Sequence, residues 1–319
     1  MPTVKKLICL LGIVLLALMI LPAAGEEEYR VFFEEETEPF GEEEELLTLQ
    51  VAGKYGGDCM LLTCGGESLL VDTGDSGTAS FFPQFEEMME SAGLGKHVDA
   101  LFNSHPHRDH LNGLQEMLEG GYTFGRIYTA FPHDFQDGTP SVVQQKMIRS
   151  AEEYAIPVVD VKNGDVIPFG KAEMTVIRLP DEMIRRDTLT NDQSAMIRIR
   201  YGNCSLLLTG DCEVYAQSRL NSLYELKSDI MKAPHHGLGW QDPHFLQDVD
   251  PEFVFITNGS SDTQKVVNTM QKFGYKRYMF ASWGKITLRC NGEKWIVRQD
   301  PNPGMENHAN NVLKTMLRP

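Results

Sequence analysis

The sequence predicts one α/β domain built on two mixed β-sheets. Short apolar, strand-like runs alternate with amphipathic helical stretches along most of the chain, and no Pro/Ser-rich linker divides its middle. Size agrees: 319 residues, 42% hydrophobic, can bury a sizeable core, which excludes a disordered or fibrous chain. No internal repeat stands out.

The elements follow in order. Lys5 and Lys6 precede a fifteen-residue apolar run, Leu7 to Leu21, and then the small-residue segment "PAAGEEE". That layout predicts a signal peptide over residues 1–25, cleaved after Gly25 or Ala24, and hence a secreted or extracytoplasmic protein. The run is short for a spanning helix, and an uncleaved anchor is the alternative; membrane contact is expected only there. Between Glu26 and Glu45 stand 11 glutamates and one basic residue, Arg30, so residues 26–45 read as an acidic flexible linker. The formal net charge is −16, and setting residues 1–45 aside still leaves about −8. Such a balance argues against a broad basic surface for long nucleic acid.

The folded domain is expected over residues 46–299, with 300–319 as a C-terminal tail. Strands are read at 46–53, 59–65 and 67–74, a helix at about 81–92, and a buried strand at 98–105. Residues 110–120 read as a helix with Leu111, Leu114, Met117 and Leu118 on one side and Gly120 as its stop. A strand at 126–131 and an amphipathic helix at 141–155 come next. Strand-like runs follow at 157–161, 173–179, 193–201 and 203–209, the last two turned into a hairpin by "YGN". The second half continues with strands at 229–234 and 251–259, a helix at 263–273, and strands at 277–282, 285–290 and 294–299. Beyond Cys9, five cysteines at irregular spacings are no disulfide framework, and each reads as a buried small hydrophobe.

Several strands end in loops rich in metal-competent side chains, the places where a rigid sheet carries function. Asp72 follows "LLV", and "NSHPHRDHLNGL" follows the buried strand at 98–105. Asp211 follows "LLLTG", and His235 and His236 follow "DIMKAP". His105, His107, Asp109 and His110 crowd into six positions of a chain with nine histidines, a density that packing does not explain. His105 and His107, two apart in extended chain, project to one side and can hold one divalent ion. Asp109 and His110 can hold a second, and a carboxylate such as Asp211 can bridge the two. Ions about 3.5–4 Å apart would share a hydroxide and clamp a developing oxyanion. Imidazole and carboxylate without thiolate suit Zn2+ first, with Mn2+ or Fe2+ as substitutes. His97, His244 and His308 read as surface residues. The Gly-rich pieces "GDSG" and "YGGD" read only as turns.

"SHPHRDHLNGL" resembles the HxHxDH motif of the metallo-β-lactamase superfamily, with "LLVDTG" and "LLLTGD" as further motifs of that family. The likeness is greatest to the hydrolase-like domain of ComEC-type competence proteins and runs over roughly residues 46–299. It is carried also by "GGDCMLL", "NDQSAMIRIRYGNCSLLLTGDCE", "IMKAPHHG", "PEFVFITNG" and "ITLRCNGEKWIV". The resemblance implies an αββα sandwich with a two-metal site at the sheet edges. It gives His105 and His107 to the first metal, Asp109 and His110 to the second, and Asp211 to both. His235 would complete the second site, with His236 behind it or against substrate, and Asp72 would orient the ligand loop. The middle histidine of many members has no counterpart; only His133 lies in that interval, and Asn191 to Ser194 would line the site instead. The branch's later Gly-His-Pro piece reads "NGSSDTQ" here.

The expected reaction is hydrolysis by a metal-bound hydroxide, with Asp109 as ligand and proton acceptor and Asp211 as the bridge. A small or short phosphodiester is the leading substrate class, and a β-lactam or lactone the second. A non-catalytic secreted metal-binding protein is the reading of a different class.

Overall fold

The first half of the chain is mostly strand: β1 (Val31–Phe33), β2 (Leu47–Val51), β3 (Cys59–Cys64), β4 (Glu67–Thr73) and β5 (His97–Val98). β6 (Ala100–Asn103), β7 (Thr123–Phe124), β8 (Ile127–Thr129) and β9 (Val158–Asp160) follow. The second half adds β10 (Val166–Phe169), β11 (Ala172–Ile177), β12 (Met196–Tyr201), β13 (Cys204–Leu208) and β14 (Ile230–Lys232). It closes with β15 (Phe253–Ile256), β16 (Tyr278–Phe280), β17 (Gly284–Cys290) and β18 (Trp295–Pro301). The helices are α1 (Phe82–Ser91), α2 (Arg108–Leu111), α3 (Leu114–Glu119), α4 (Val142–Glu153), α5 (Val214–Leu220) and α6 (Pro243–Val249). This computed structural model describes residues 29–131, 141–184, 190–258, 268, 271–272, 274 and 277–307.

The strands form two large sheets, as expected. A nine-stranded sheet has the order β1-β18-β17-β2-β3-β4-β6-β8-β9, and a seven-stranded sheet runs from β10 to β16 in chain order. Apart from the parallel edge pair β1–β18, each sheet is antiparallel on one side and parallel on the other: β4, β6, β8 and β9 in the first, β13 to β16 in the second. Strand patterning follows that division. The antiparallel β17 alternates buried and half-buried positions, whereas the parallel β6, β14 and β15 are buried throughout and read as continuous apolar runs.

One core lies between the sheets and includes Leu49, Leu62, Phe102, Ile197, Leu206, Phe253 and Leu288. A second lies between the first sheet and its helices, from Phe85 and Met88 of α1, Leu114 and Met117 of α3, and Met147 of α4. A third packs Ala216 and Leu220 of α5 and Phe245 and Val249 of α6 on the second sheet. The layers are therefore helix, sheet, sheet, helix. Helices this short do not persist alone in water. Burial of one large apolar side chain, about 1.5–3 kcal/mol, is what docks them.

Four expectations change. The acidic segment 26–45 is not a free linker over its described part: Val31–Phe33 pair in parallel with Trp295–Val297, and the buried Val31 and Phe33 anchor that edge. Its acids then find partners, for Glu36 meets Arg277 at 2.6 Å and Glu34 meets Arg289 at 3.4 Å. The strand at 98–105 is interrupted at Asp99, whose carboxylate accepts hydrogen bonds from Ser68 N and Oγ. The helix at 110–120 breaks into α2 and α3 because the chain docks on the end of β4. A Cβ at Gly113 would sit 2.4 Å from Thr73 O, and Asn112 Nδ2 donates to Asp75 and Ser76. Finally, β10, α5 and α6 were not anticipated. α6 does carry a start signal, since Asp242 Oδ1 accepts from His244 N and Phe245 N, with Pro243 at the first turn. The leader and the helix over 263–273 lie outside or almost outside the described residues.

Candidate metal centre

The loops leaving β4, β6, β13 and β14, together with the segment entering β3, meet at one edge of the sandwich. β6 delivers the cluster: after Asn103 the chain bends at Ser104, is extended at His107, and α2 starts at Arg108, turning Asp109 and His110 inward. β13 delivers Asp211 through Gly210, whose φ of +52° and close approach to Ser104, 3.0 Å from a would-be Cβ, suit only glycine. β14 delivers His235 and His236, both left-handed, at φ of 44° and 53°. Two successive non-glycine residues there cost on the order of 1 kcal/mol each, and surrounding contacts must hold them.

Asp211 Oδ2 is the hub. Four imidazole Nε2 atoms face it: His110 at 3.2 Å, His236 at 3.4 Å, His105 at 3.8 Å and His235 at 3.8 Å. Asp109 Oδ2 lies 3.3 Å from His236 Nε2 and 3.9 Å from His110 Nε2. The His107 ring packs 4.6 Å from that of His105. Asp109, His110, His236 and Asp211 form one close set, while the His105 ring packs 4.2 Å from that of His110 and His235 reaches only Asp211 among the other donors. His236, rather than His235, stands beside Asp109 and His110. His235 instead meets Glu213 through Nδ1 and faces Asp211 from 3.8 Å.

The residues fit divalent ions. Donors about 2.1 Å from one tetrahedral ion stand roughly 3.4 Å apart, and the His110–Asp211–His236–Asp109 separations match. Nε2 of His105 and of His110 are buried without a well-aligned hydrogen-bond partner among the described residues. Charge agrees, because Asp58, Asp72 and Asp211 are all buried with one ammonium, Lys232, among them. Such an excess of buried carboxylate asks for cations, and without a metal the His110 and His236 rings, both raised by these carboxylates, meet part of that demand as protonated imidazoles.

The Nδ1 side of His110, His236 and His235 is also built. Asp72, itself left-handed at φ of 56°, accepts from Ser104 N at 2.8 Å and Ser104 Oγ at 2.6 Å, and its Oδ2 lies 2.8 Å from His110 Nδ1. His236 Nδ1 lies 2.7 Å from Thr257 Oγ1 and 3.3 Å from Asp58 Oδ1. His235 Nδ1 lies 3.0 Å from Glu213 Oε1, and Asn191 bridges Glu213 and His235 at 2.8 and 3.5 Å. Ser194 Oγ accepts from Asp211 N at 3.2 Å. Lys232 Nζ sits 2.7 Å from Asp58 Oδ2 and 3.6 Å from Asp211 Oδ1, and donates to Gly210 O at 2.8 Å. One possible ligand atom from each of Asp58, His110, Asp211 and His236 lies within 4.8 Å of the others. Asp58 nevertheless faces Nδ1 atoms while Asp211 faces Nε2 atoms, so it orients rings that the hub uses.

Asp58, Lys232, Glu213 and Thr257 were missed in the sequence. Asp58 had a signal, because "GGD" abuts the apolar run "CMLL" just as Asp72 and Asp211 abut theirs. His133 lies outside the described residues. A cavity of about 560 Å³ lies nearby, between α3 and α4, lined by residues including Gln115, Glu116, Lys146 and Ser150, and contains none of the donors.

Electrostatics divides the set, leaving His105 and His107 neutral while the carboxylates favour a proton on His110 and His236 until a metal displaces it. Burial, with His110 beside it, holds the His105 imidazole well below its usual range, and burial lowers His107 too. Both are therefore neutral, with lone pairs free. Burial opposes charge on His236, but Asp211 and Asp58 outweigh it and push the ring up to about 10. Burial likewise opposes ionisation of Asp109, yet the His236 contact and His110 hold its carboxyl at about 2.

Comparison with known proteins agrees with this architecture. The metallo-β-lactamase superfamily model matches residues 52–252. ComE operon protein 3 of Bacillus subtilis (strain 168) is 26% identical over 244 residues, 69% of this chain and 30% of that protein. Competence protein ComA of Neisseria gonorrhoeae is 26% identical over 265 residues, 81% of this chain and 33% of that protein. The chain thus spans about a third of the length of these curated relatives. Among solved structures, the metallo-β-lactamase fold protein YhfI of Bacillus subtilis superposes with a TM-score of 0.51 at 16% identity, covering 74% of this chain and 96% of that one. A CmlA β-hydroxylase E377D mutant does so with a TM-score of 0.51 at 17% identity, covering 79% and 55%. With the family model spanning most of the fold and every one of its metal-competent loops converging on Asp211, this chain belongs to the metallo-β-lactamase superfamily.

Proposed function

We propose that the protein is an exported metal-dependent hydrolase that holds two divalent ions, Zn2+ first among them, and cleaves a small or short phosphodiester. The observation that supports the dinuclear reading is the crowding of four histidine Nε2 atoms within 3.8 Å of Asp211 Oδ2, more donors than one tetrahedral ion takes once Asp109 and His107 are added. In it His105, His107 and His235 hold one ion, Asp109, His110 and His236 hold the other, and Asp211 serves both. When bound, the ions supply a water acidified to near neutrality and positive charge where the oxyanion develops.

The protein's own groups set the geometry. Lys232 fixes Asp211 through Oδ1 and leaves Oδ2 turned to the histidines. Asp72 and Thr257 orient His110 and His236 from behind. Asp109, the more exposed of the two catalytic carboxylates, stands where it can accept a proton from the attacking water. Phosphodiester cleavage matches paired ions, which stabilise attacking and leaving oxygens together. Net negative charge on the chain favours a small substrate over long duplex. The fold alone does not select the chemistry. Export rests on the pattern of the N-terminal segment, and among the described residues no helix is long and apolar enough to cross a membrane.

Metal analysis of the full chain, then assays with bis(p-nitrophenyl) phosphate and nitrocefin, test the reading. Two ions per chain with chelator-sensitive phosphodiester turnover are expected, along with an Asp211→Asn variant that folds but is slower by orders of magnitude. One tightly held ion, with neither substrate cleaved, would favour the non-catalytic metal-binding protein instead, and no ion at all would overturn both readings.

A further inference from the structure

The hairpin turns of the two sheets meet at a point away from the metal centre. Cys204 begins β13 and pairs with Tyr201 across the turn Gly202–Asn203. Cys290 ends β17, opposite Trp295 in one neighbour and Leu47 in the other. The two turns are locked together: Asn203 N donates to Gly292 O at 2.7 Å, and a Cβ on Gly202 would fall 2.5 Å from that same oxygen. Gly292 N in turn donates to Cys290 Sγ at 3.2 Å. Both cysteines are fully buried in the core between the sheets. The locked turns thus bring the two cysteines into the same part of that core, and Cys290, with burial, drives the Cys204 thiol far above its ordinary range. Cys59 and Cys212 lie elsewhere, beside the carboxylates of the metal centre.

We propose that Cys204 and Cys290 are a disulfide site, and that the bond, once formed, staples the nine-stranded sheet to the seven-stranded one. Two thiols lose two protons and two electrons, one S–S bond forms, and an exchanging disulfide is reduced to two thiols. The oxidant is a small-molecule or protein disulfide, such as an exported protein meets outside the cytoplasm. Neither sulfur is exposed in the folded chain, so exchange takes place before the sandwich closes. The finished bond is then shielded from reductants until it opens. The loop closed is long, 204 to 290, the case in which a cross-link restrains the unfolded chain most. Export gives this bond its setting, but its geometry stands independently of the hydrolase reading.

The experiment is refolding of the full chain in a glutathione redox buffer, followed by alkylation in denaturant and mass spectrometry. Two fewer alkylated cysteines than in a fully reduced control are expected, with one linked peptide pair containing residues 204 and 290. The oxidised protein should melt roughly 5–10 °C above the reduced one. That difference should vanish in Cys290→Ala and in the double variant Cys204→Ala/Cys290→Ala. Equal alkylation of all cysteines, or a linkage through Cys64, Cys59 or Cys212 instead, would overturn the assignment. Absence of hydrolytic turnover would bear on the metal centre and leave this readout unaffected.

Discussion

His235 and His236 show how much one residue decides. Adjacent in sequence and both in left-handed backbone, they meet Asp211 with different second partners, Glu213 for His235 and Asp109 with Asp58 for His236. If each completes a different donor set, His235→Ala and His236→Ala should each retain about one ion per chain rather than two. Elemental analysis would read this, and loss of both ions in either variant would argue for a single shared site. Lys232 is the second decisive residue. Removing its ammonium leaves Asp58 buried and unpaired, so Lys232→Met should lose about 3–5 kcal/mol of stability by denaturant titration. A loss below about 1 kcal/mol would mean that the pair is not what holds Asp58 ionised. The same carboxylates set the response to acid. Asp58, Asp109 and Asp211 are all held below their ordinary values, so their stabilisation is complete above the unfolded value of 3.8 and fades as pH falls toward 2. The metal-free protein should lose stability steeply over that interval, and a flat profile between pH 5 and 2 would contradict the ion-pair network.

At the scale of elements, legibility divided along sequence separation. The HxHxDH cluster was readable because its four donors lie within six positions and their density has no packing explanation. The parallel strands were readable as continuous apolar runs. The partners of those donors were not: Asp58 reaches Lys232 and His236 only after β3 and β14 are placed in different sheets facing one edge. Nor could the sequence choose between two neighbouring histidines, since turn geometry makes that choice. β1 was misread for a related reason. Glutamates surround "VFF", and the charge pattern of the segment concealed two side chains that become fully buried. Phe33 packs on Phe253 of the other sheet with ring centres 5.9 Å apart. Phe33→Ala should therefore cost about 3–5 kcal/mol, as a core truncation does. A variant with unchanged melting would return this segment to the status of a spacer.

At the scale of the molecule, the donors come from both sheets: His105, His107, Asp109 and His110 from the nine-stranded one, Asp211, His235 and His236 from the seven-stranded one. Ions bound there stabilise only the assembled sandwich. Removing them with a chelator should lower the melting temperature by roughly 10 °C when free metal stands near a thousand times its dissociation constant. No shift would indicate that the loops are held without metal.

The shared edge has one more consequence. His110 and His236 ride on different sheets, so the gap between their nitrogens is set by how far apart the two sheets stand. The apolar side chains packed between the sheets act as the spacer of a pair of callipers. A methylene added or removed at Leu206 or Leu288, residues with no donor atoms at all, would open or close the jaws. Metal affinity in this protein is therefore adjustable from the middle of its oil.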